Sequence, residues 1–173
     1  VIDYANPLEI TASEADVREA CRVAREYGFR AVVAFPQYLG ILVDELKGSP
    51  VLAQIPIGFP CGGVTTLVKC TEAEQGLKRG ASDLDMVMNI AAFKQGQYSR
   101  VAEDIAAVLK VARPFKVPFK VIIELGALTE ADRHGDKSEY GRKGRHEDRA
   151  KPFASRLDER LASLKTARLQ DVC

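Results

Sequence analysis

The 173 residues are 46% hydrophobic and 28% charged, with a net charge of +1, a balance that fits one soluble globular domain with its own core. Near-neutral charge gives no bulk attraction to nucleic acid or to an anionic membrane, and no apolar stretch is long enough to span a bilayer, so neither partner is expected. The opening "VIDYANPLEI" lacks a basic stretch followed by an apolar one, and Cys21, Cys61, Cys70 and Cys173 form no C-x-x-C pair; the expectation is a cytoplasmic protein with free thiols, no signal peptide and no metal site.

Apolar, β-branched runs alternate with amphipathic stretches. The short run "VIDYA" reads as a first strand. In "TASEADVREACRVAREYG", Thr11 and Glu14 have the spacing of a capping box. Val17, Ala20, Cys21, Ala24 and Tyr27 then recur on one helical face, and Gly28 is the expected stop. "FRAVVAFP" is a second strand ending at Pro36, and "QYLGILVDEL" a second helix. "VLAQIPIGFP" is a third strand leading into the glycine-rich loop "CGGVTT", where Cys61 is expected to be exposed. A helix is expected from about Leu67 to Arg79, then a fourth strand over "SDLDMVMNI" and a connection over "AAFKQGQ". A fourth helix covers "YSRVAEDIAAVLKVAR", with Val101, Ile105, Val108 and Leu109 inward, and "FKVIIEL" is a fifth strand.

Strands alternating with helices predict an α/β fold with a parallel sheet and helical crossovers. The strands are apolar on both faces, as parallel strands covered on both sides must be. A doubly wound sheet and a TIM barrel both fit that pattern. No G-x-G-x-x-G or P-loop follows the first strand, which weakens the nucleotide-binding versions.

The fourth strand helps to choose. With period two, Asp83, Asp85, Val87 and Asn89 share one face, and Leu84, Met86, Met88 and Ile90 the other. On the fifth strand Lys120, Ile122 and Glu124 share a face. One apolar face and one partly polar face suit a barrel whose lumen hosts chemistry at the C-terminal strand ends. A buried carboxylate is costly unless it is paired. Asp85 is therefore expected to point into a lumen, where a charged partner or the reaction accounts for it. The alternative is an aspartate paired with a neighbouring-strand lysine such as Lys120, holding the core together.

Several segments resemble the deoxyribose-phosphate aldolase family. "VIDYANPLEITASEADV" is similar to the family's I-D-H-T-x-L opening and acidic helix start. "YGFRAVVAFPQYL" is similar to its second strand and proline turn. "IGFPCGGVTTLVKCTEAEQGLKRGASDLDMVMNI" resembles the F-P-x-G…T…K…E…A…G-A-D-E-I-D-M-V-I-N block, and "KVIIELGALTE" resembles K-V-I-I-E-T-x-x-L-T. Together they cover about residues 1–131.

The resemblance implies a TIM barrel and a class I aldolase. Such enzymes join acetaldehyde to glyceraldehyde 3-phosphate reversibly, through a lysine Schiff base and without a cofactor, giving 2-deoxyribose 5-phosphate. Its partners would be a small sugar phosphate and an aldehyde. Asp85 matches the family's proton-shuttling aspartate, and Asp3 its first-strand aspartate in the proton network. Lys69 and Lys120 also match family positions and read as solvated or structural lysines. Departures are Tyr4 where the family has His, Ala5 where it has Thr, and Ser82 where it has Asp. No histidine precedes His134, which argues against a metal-dependent route to the same bond.

After about Ala131 the resemblance stops. The V-K-T-S-T-G stretch expected there, whose lysine would form the Schiff base, does not occur. Lys151 stands near the right spacing from Lys120, but has neither an apolar strand before it nor a Ser/Thr/Gly turn after it. The segment 131–173 holds 11 Lys and Arg, 8 Asp and Glu, and only six Val, Ile, Leu, Met or Phe, too few to bury a sheet. The expected organisation is thus an incomplete TIM (β/α)8-type barrel of about five βα units over 1–131. A charged tail follows over 132–173, helical near 155–169 or disordered. The abrupt change in composition points to a shifted reading frame or a joined foreign segment. Five strands leave the first and fifth edges open, which predicts a homo-oligomer, a partner fragment at those edges or poor folding; the alternative to an aldolase is a non-catalytic barrel remnant or a sugar-phosphate binding module.

Overall fold

The computed structural model describes residues 2–129 and Asp132. The readings made for 133–173, Lys151 and the helix near 155–169 among them, lie outside the described residues. In chain order the elements are β1 (Asp3–Tyr4), α1 (Glu14–Tyr27), β2 (Ala31–Val33), α2 (Leu39–Leu46), β3 (Leu52–Ile57), α3 (Thr66–Lys78), β4 (Asp83–Val87), α4 (Ile90–Lys94), α5 (Tyr98–Ala112) and β5 (Phe119–Ile122). No helix among the described residues is long and apolar enough to cross a membrane.

All five strands are parallel, in the order β1-β2-β3-β4-β5. A doubly wound sheet would reverse about a central strand. A sheet that always steps to the same side is the winding of a barrel. In a flat sheet β1 and β5 would stand about 19 Å apart, four spacings of about 4.8 Å. Yet the Lys120 ammonium on β5 donates to the Asp3 carboxylate on β1, a span no lysine side chain covers unaided. The sheet is therefore strongly curled, a half-barrel with its helices outside.

The outer face of the strands is apolar. Ile55, Leu84 and Met86 are wholly buried there beneath the helices. A Cβ on Gly76 would stand 2.2 Å from Ile55 Cδ1, so glycine at that position lets α3 lie directly on β3.

Local signals set the helix ends, with two corrections to the sequence reading. The capping box of α1 is formed by Ser13 and Asp16, not by Thr11 and Glu14. The Ser13 hydroxyl accepts from the Asp16 N–H at 3.3 Å, and the Asp16 carboxylate accepts from the Ser13 N–H at 2.8 Å. Glu14 is already the first helical residue, so Thr11 lies too far upstream to cap. The expected stop at Gly28 is present, with φ 66° and its N–H donated to Ala24 O. The fourth strand ends at Val87 rather than running to Ile90. Asn89 instead caps α4, its side-chain oxygen accepting from the Ala92 N–H at 2.9 Å. The segment read as a connection thus contains a helical turn.

Lys69 ties the helix layer to the sheet. It is wholly buried and donates to Val87 O at 3.0 Å and to the Asp104 carboxylate at 2.6 Å. One ammonium thereby joins α3, α5 and the end of β4. Of the two readings for Lys69, the structural one describes it. Removing one partner of a buried pair strands the other charge, whereas an apolar replacement of both is tolerated. Lys69→Met is expected to lose about 3–5 kcal/mol of stability. Adding Asp104→Leu should recover most of that loss, as measured by urea unfolding.

Candidate active site

Side chains facing away from the helices line the concave side of the curled sheet. Register fixes which they are: Gln54 pairs with Asp83, Pro56 with Asp85, and Asp85 with Lys120. Asp3 heads the same face from β1, where it pairs with Ala31. Arg30, immediately before β2, swings into the cluster.

The cluster is a charge network. Arg30 donates to both Asp3 oxygens, at 2.6 and 2.7 Å, and to Asp83 Oδ2 at 2.5 Å. The Lys120 ammonium bonds Asp3 and lies 3.1 Å from Asp85 Oδ1 and 3.5 Å from Asp83 Oδ2. Asp83 is wholly buried, while Asp3, Arg30, Asp85 and Lys120 keep some contact with solvent.

The network sets the protonation of its members. The fork of Arg30 is the main reason the Asp3 carboxyl is held down at about 2; burial works the other way, and Lys120 adds to the lowering. Burial is the largest influence on Lys120 and opposes its charge. It is outweighed by the bonds to Asp3 and Asp85 and the charges of Asp85 and Asp83, so the ammonium is pushed up. Arg30 is raised chiefly by its bond to Asp3. Lys120 is thus a fixed cation rather than a free amine, and a nucleophilic lysine needs the opposite environment.

The two sequence candidates, Asp3 and Asp85, are brought to one ammonium, that of Lys120. Asp85 faces Lys120 from the neighbouring strand, the ion pair that the sequence offered as the alternative to a catalytic role. Sequence reasoning missed Arg30 and Gln54. The signal for Arg30 was faint: a lone charge directly ahead of the apolar run "AVVAF". The cysteines contribute nothing here. Cys21 is buried, which pushes its thiol up to about 11, and Cys61 is exposed in its loop, as expected. Among the described residues no group of three or more His, Cys, Asp or Glu is arranged to hold a metal ion.

No protein-family profile matches the chain. Individual proteins do. The deoxyribose-phosphate aldolase of Clostridium tetani is 40% identical over 126 residues, which cover 73% of this chain and 58% of that protein. A crystal structure from Coccidioides immitis, provisionally named a deoxyribose-phosphate aldolase, is 37% identical with a TM-score of 0.71, over 76% of this chain and 51% of the other. Over about three quarters of its length this chain is similar to deoxyribose-phosphate aldolases. The tetrameric deoxyribose phosphate aldolase of Aeropyrum pernix is also similar, at 32% identity and a TM-score of 0.63 over 73% of this chain and 52% of that one. The chain spans rather more than half the length of the curated relatives it matches. Relative to those aldolases, the described residues form one side of a barrel, with the charge network on its inner wall.

Asp3 gives a pH test of this inner wall. Its folded pKa lies below the ordinary carboxylate value, so its stabilisation is complete above that value, 3.8, and is lost as pH falls towards 2. Asp3→Asn should remove about 2 kcal/mol of acid-dependent stability between about pH 4 and pH 2, read as a flatter plot of urea midpoint against pH.

Proposed function

We propose that this chain is the proton-transfer half of an aldolase of the deoxyribose-phosphate type. The reaction is the reversible cleavage of 2-deoxyribose 5-phosphate to acetaldehyde and glyceraldehyde 3-phosphate. The observation that carries this reading is the pair of carboxylates, Asp3 and Asp85, sharing the Lys120 ammonium on the concave face of a segment related to enzymes named for that reaction. Asp85 is the acid and base of the site: a positioned carboxylate can take the proton of the reacting hydroxyl in cleavage and return it in condensation. Lys120 aims that carboxylate and supplies its counter-charge. Arg30 orients Asp3, which in turn holds Lys120.

The nucleophile comes from elsewhere. Lys120 is a cation among three carboxylates, and Lys69 is buried against Asp104. The V-K-T-S-T-G stretch of the family is missing from residues 131–173. Residues 1–173 therefore work together with a complementary half-barrel at the edges of β1 and β5, and without it form no Schiff base. The setting proposed is deoxyribonucleotide catabolism in the cytoplasm. If the charged segment 132–173 arose from a shifted frame, translating the coding DNA in its other two frames restores V-K-T-S-T-G.

Two measurements test the reading. Acetaldehyde trapping with borohydride, read by peptide mass spectrometry, should leave Lys69 and Lys120 unmodified; a specific adduct at either overturns the assignment. Mixing the chain with the C-terminal half of the Clostridium tetani relative should give aldol cleavage. Asp85→Asn should then lower the rate by about 100-fold or more, the usual worth of a positioned acid and base. A stable complex without cleavage would sink the proposal.

A further inference from the structure

The inner wall carries one more negative charge than its cations balance. Among the described residues, Asp3, Asp83 and Asp85 face only Arg30 and Lys120. The surplus is costliest at Asp83, the most deeply buried of the three. Asp3 takes both prongs of Arg30 together with Lys120; Asp85 has Lys120 at 3.1 Å and, although its Oδ1 also lacks a hydrogen bond, keeps contact with solvent. Asp83 shares cations already committed elsewhere, is wholly buried, and leaves its Oδ1 without a hydrogen-bond partner.

Directly opposite, on β3, stands Gln54, the register partner of Asp83. It too is wholly buried, and both atoms of its carboxamide lack a hydrogen-bond partner. A buried amide without partners costs several kcal/mol, and a buried carboxylate with a bare oxygen costs more. Register partners on adjacent strands lie about 4.8 Å apart, within reach of a side-chain rotation.

We propose that Asp83 is held protonated in the folded protein and donates its Oδ1–H to the Gln54 carboxamide oxygen. One proton, taken from solvent, removes three defects: the surplus charge, the bare carboxyl oxygen and the unpaired amide oxygen. Asp83 Oδ2 remains an acceptor for Arg30. The groups facing Asp83 are Asp3 from β1, Arg30 ahead of β2, Gln54 from β3, Asp85 on its own strand and Lys120 from β5. Burial pushes the Asp83 carboxyl up, against the pull of Lys120 and Arg30, in keeping with this geometry. The protonated state leaves Lys120 to Asp3 and Asp85. When Asp83 loses its proton, a third carboxylate competes for that ammonium and repels Asp85. The pair is thus a pH-sensitive latch on the inner wall, independent of whether the chain catalyses anything.

The test compares the full chain with its Asp83→Asn variant across pH. An acid whose folded pKa is raised stabilises the fold fully below its unfolded value, and that contribution is lost as pH rises towards the folded value. The asparagine amide keeps the donor to Gln54 and does not titrate. The melting temperature of the variant relative to wild type should therefore rise by several degrees between about pH 4 and pH 8. A constant difference, or one that falls as pH rises, would overturn the proposal.

Carbon-13 NMR of the wild-type carboxyl and carboxamide groups makes the test independent of how well the variant folds. One aspartate carboxyl should stay protonated above the range in which the others ionise, with the Gln54 carboxamide shifting at the same midpoint. Every carboxyl ionising in the ordinary aspartate range, or a Gln54 signal that ignores the titration, would also overturn it.

Discussion

The ion pair between Lys120 and Asp3 is the constraint on which the rest of the inner wall depends. It joins the two edge strands of the sheet across 117 residues of sequence, and it can form only because the sheet is curled. The curl turns five separate strand positions into one site. Without it, Arg30 and Lys120 could not both serve Asp83, and Asp85 would face open solvent. Since Lys120 is partly exposed, no large energy need be assigned to the bridge itself. Its importance is geometric.

A second clamp acts from behind. The Lys69 ammonium holds Val87 O, two residues beyond Asp85, while its partner Asp104 belongs to α5. Glu72, one turn along α3, accepts from the Gly58 N–H at 2.8 Å where β3 ends. The C-terminal ends of β3 and β4 are thus both fastened to one helix. Gly62, with φ 66°, lies so close to the backbone that a Cβ there would stand 1.8 Å from Met88 O, so the loop after β3 is packed onto the end of β4. These contacts fix the backbone that carries Asp85, leaving its side chain to be set by Lys120.

The alternation of strands and helices was legible because each element carries its own period. β3 and β4 are apolar runs, and α1 and α5 present apolar faces at helical spacing. Asp83 and Asp85 were legible because a carboxylate inside an apolar strand calls for a partner. The cap of α1 was not, since T-x-x-E and S-x-x-D patterns overlap there and only backbone dihedrals choose between them. Lys69 reads as a solvated helical lysine until Asp104, 35 residues later, is seen beneath it. Arg30 and Gln54 gain their meaning from strand register and from the curl, which no local pattern encodes. The barrel, by contrast, was legible from the partly polar face of β4, and the strand order bears it out.

The order of synthesis gives the network a history. Arg30 is made soon after Asp3, 27 residues along, so the first carboxylate has a counter-ion while most of the sheet does not yet exist. Asp83 and Asp85 arrive next and overload that single guanidinium. Lys120 comes last, and closing so long a loop is the entropically expensive step. A nascent chain stopped short of residue 120 would hold three acids and one base on the same wall, with mutual repulsion resisting the curvature that the finished protein requires.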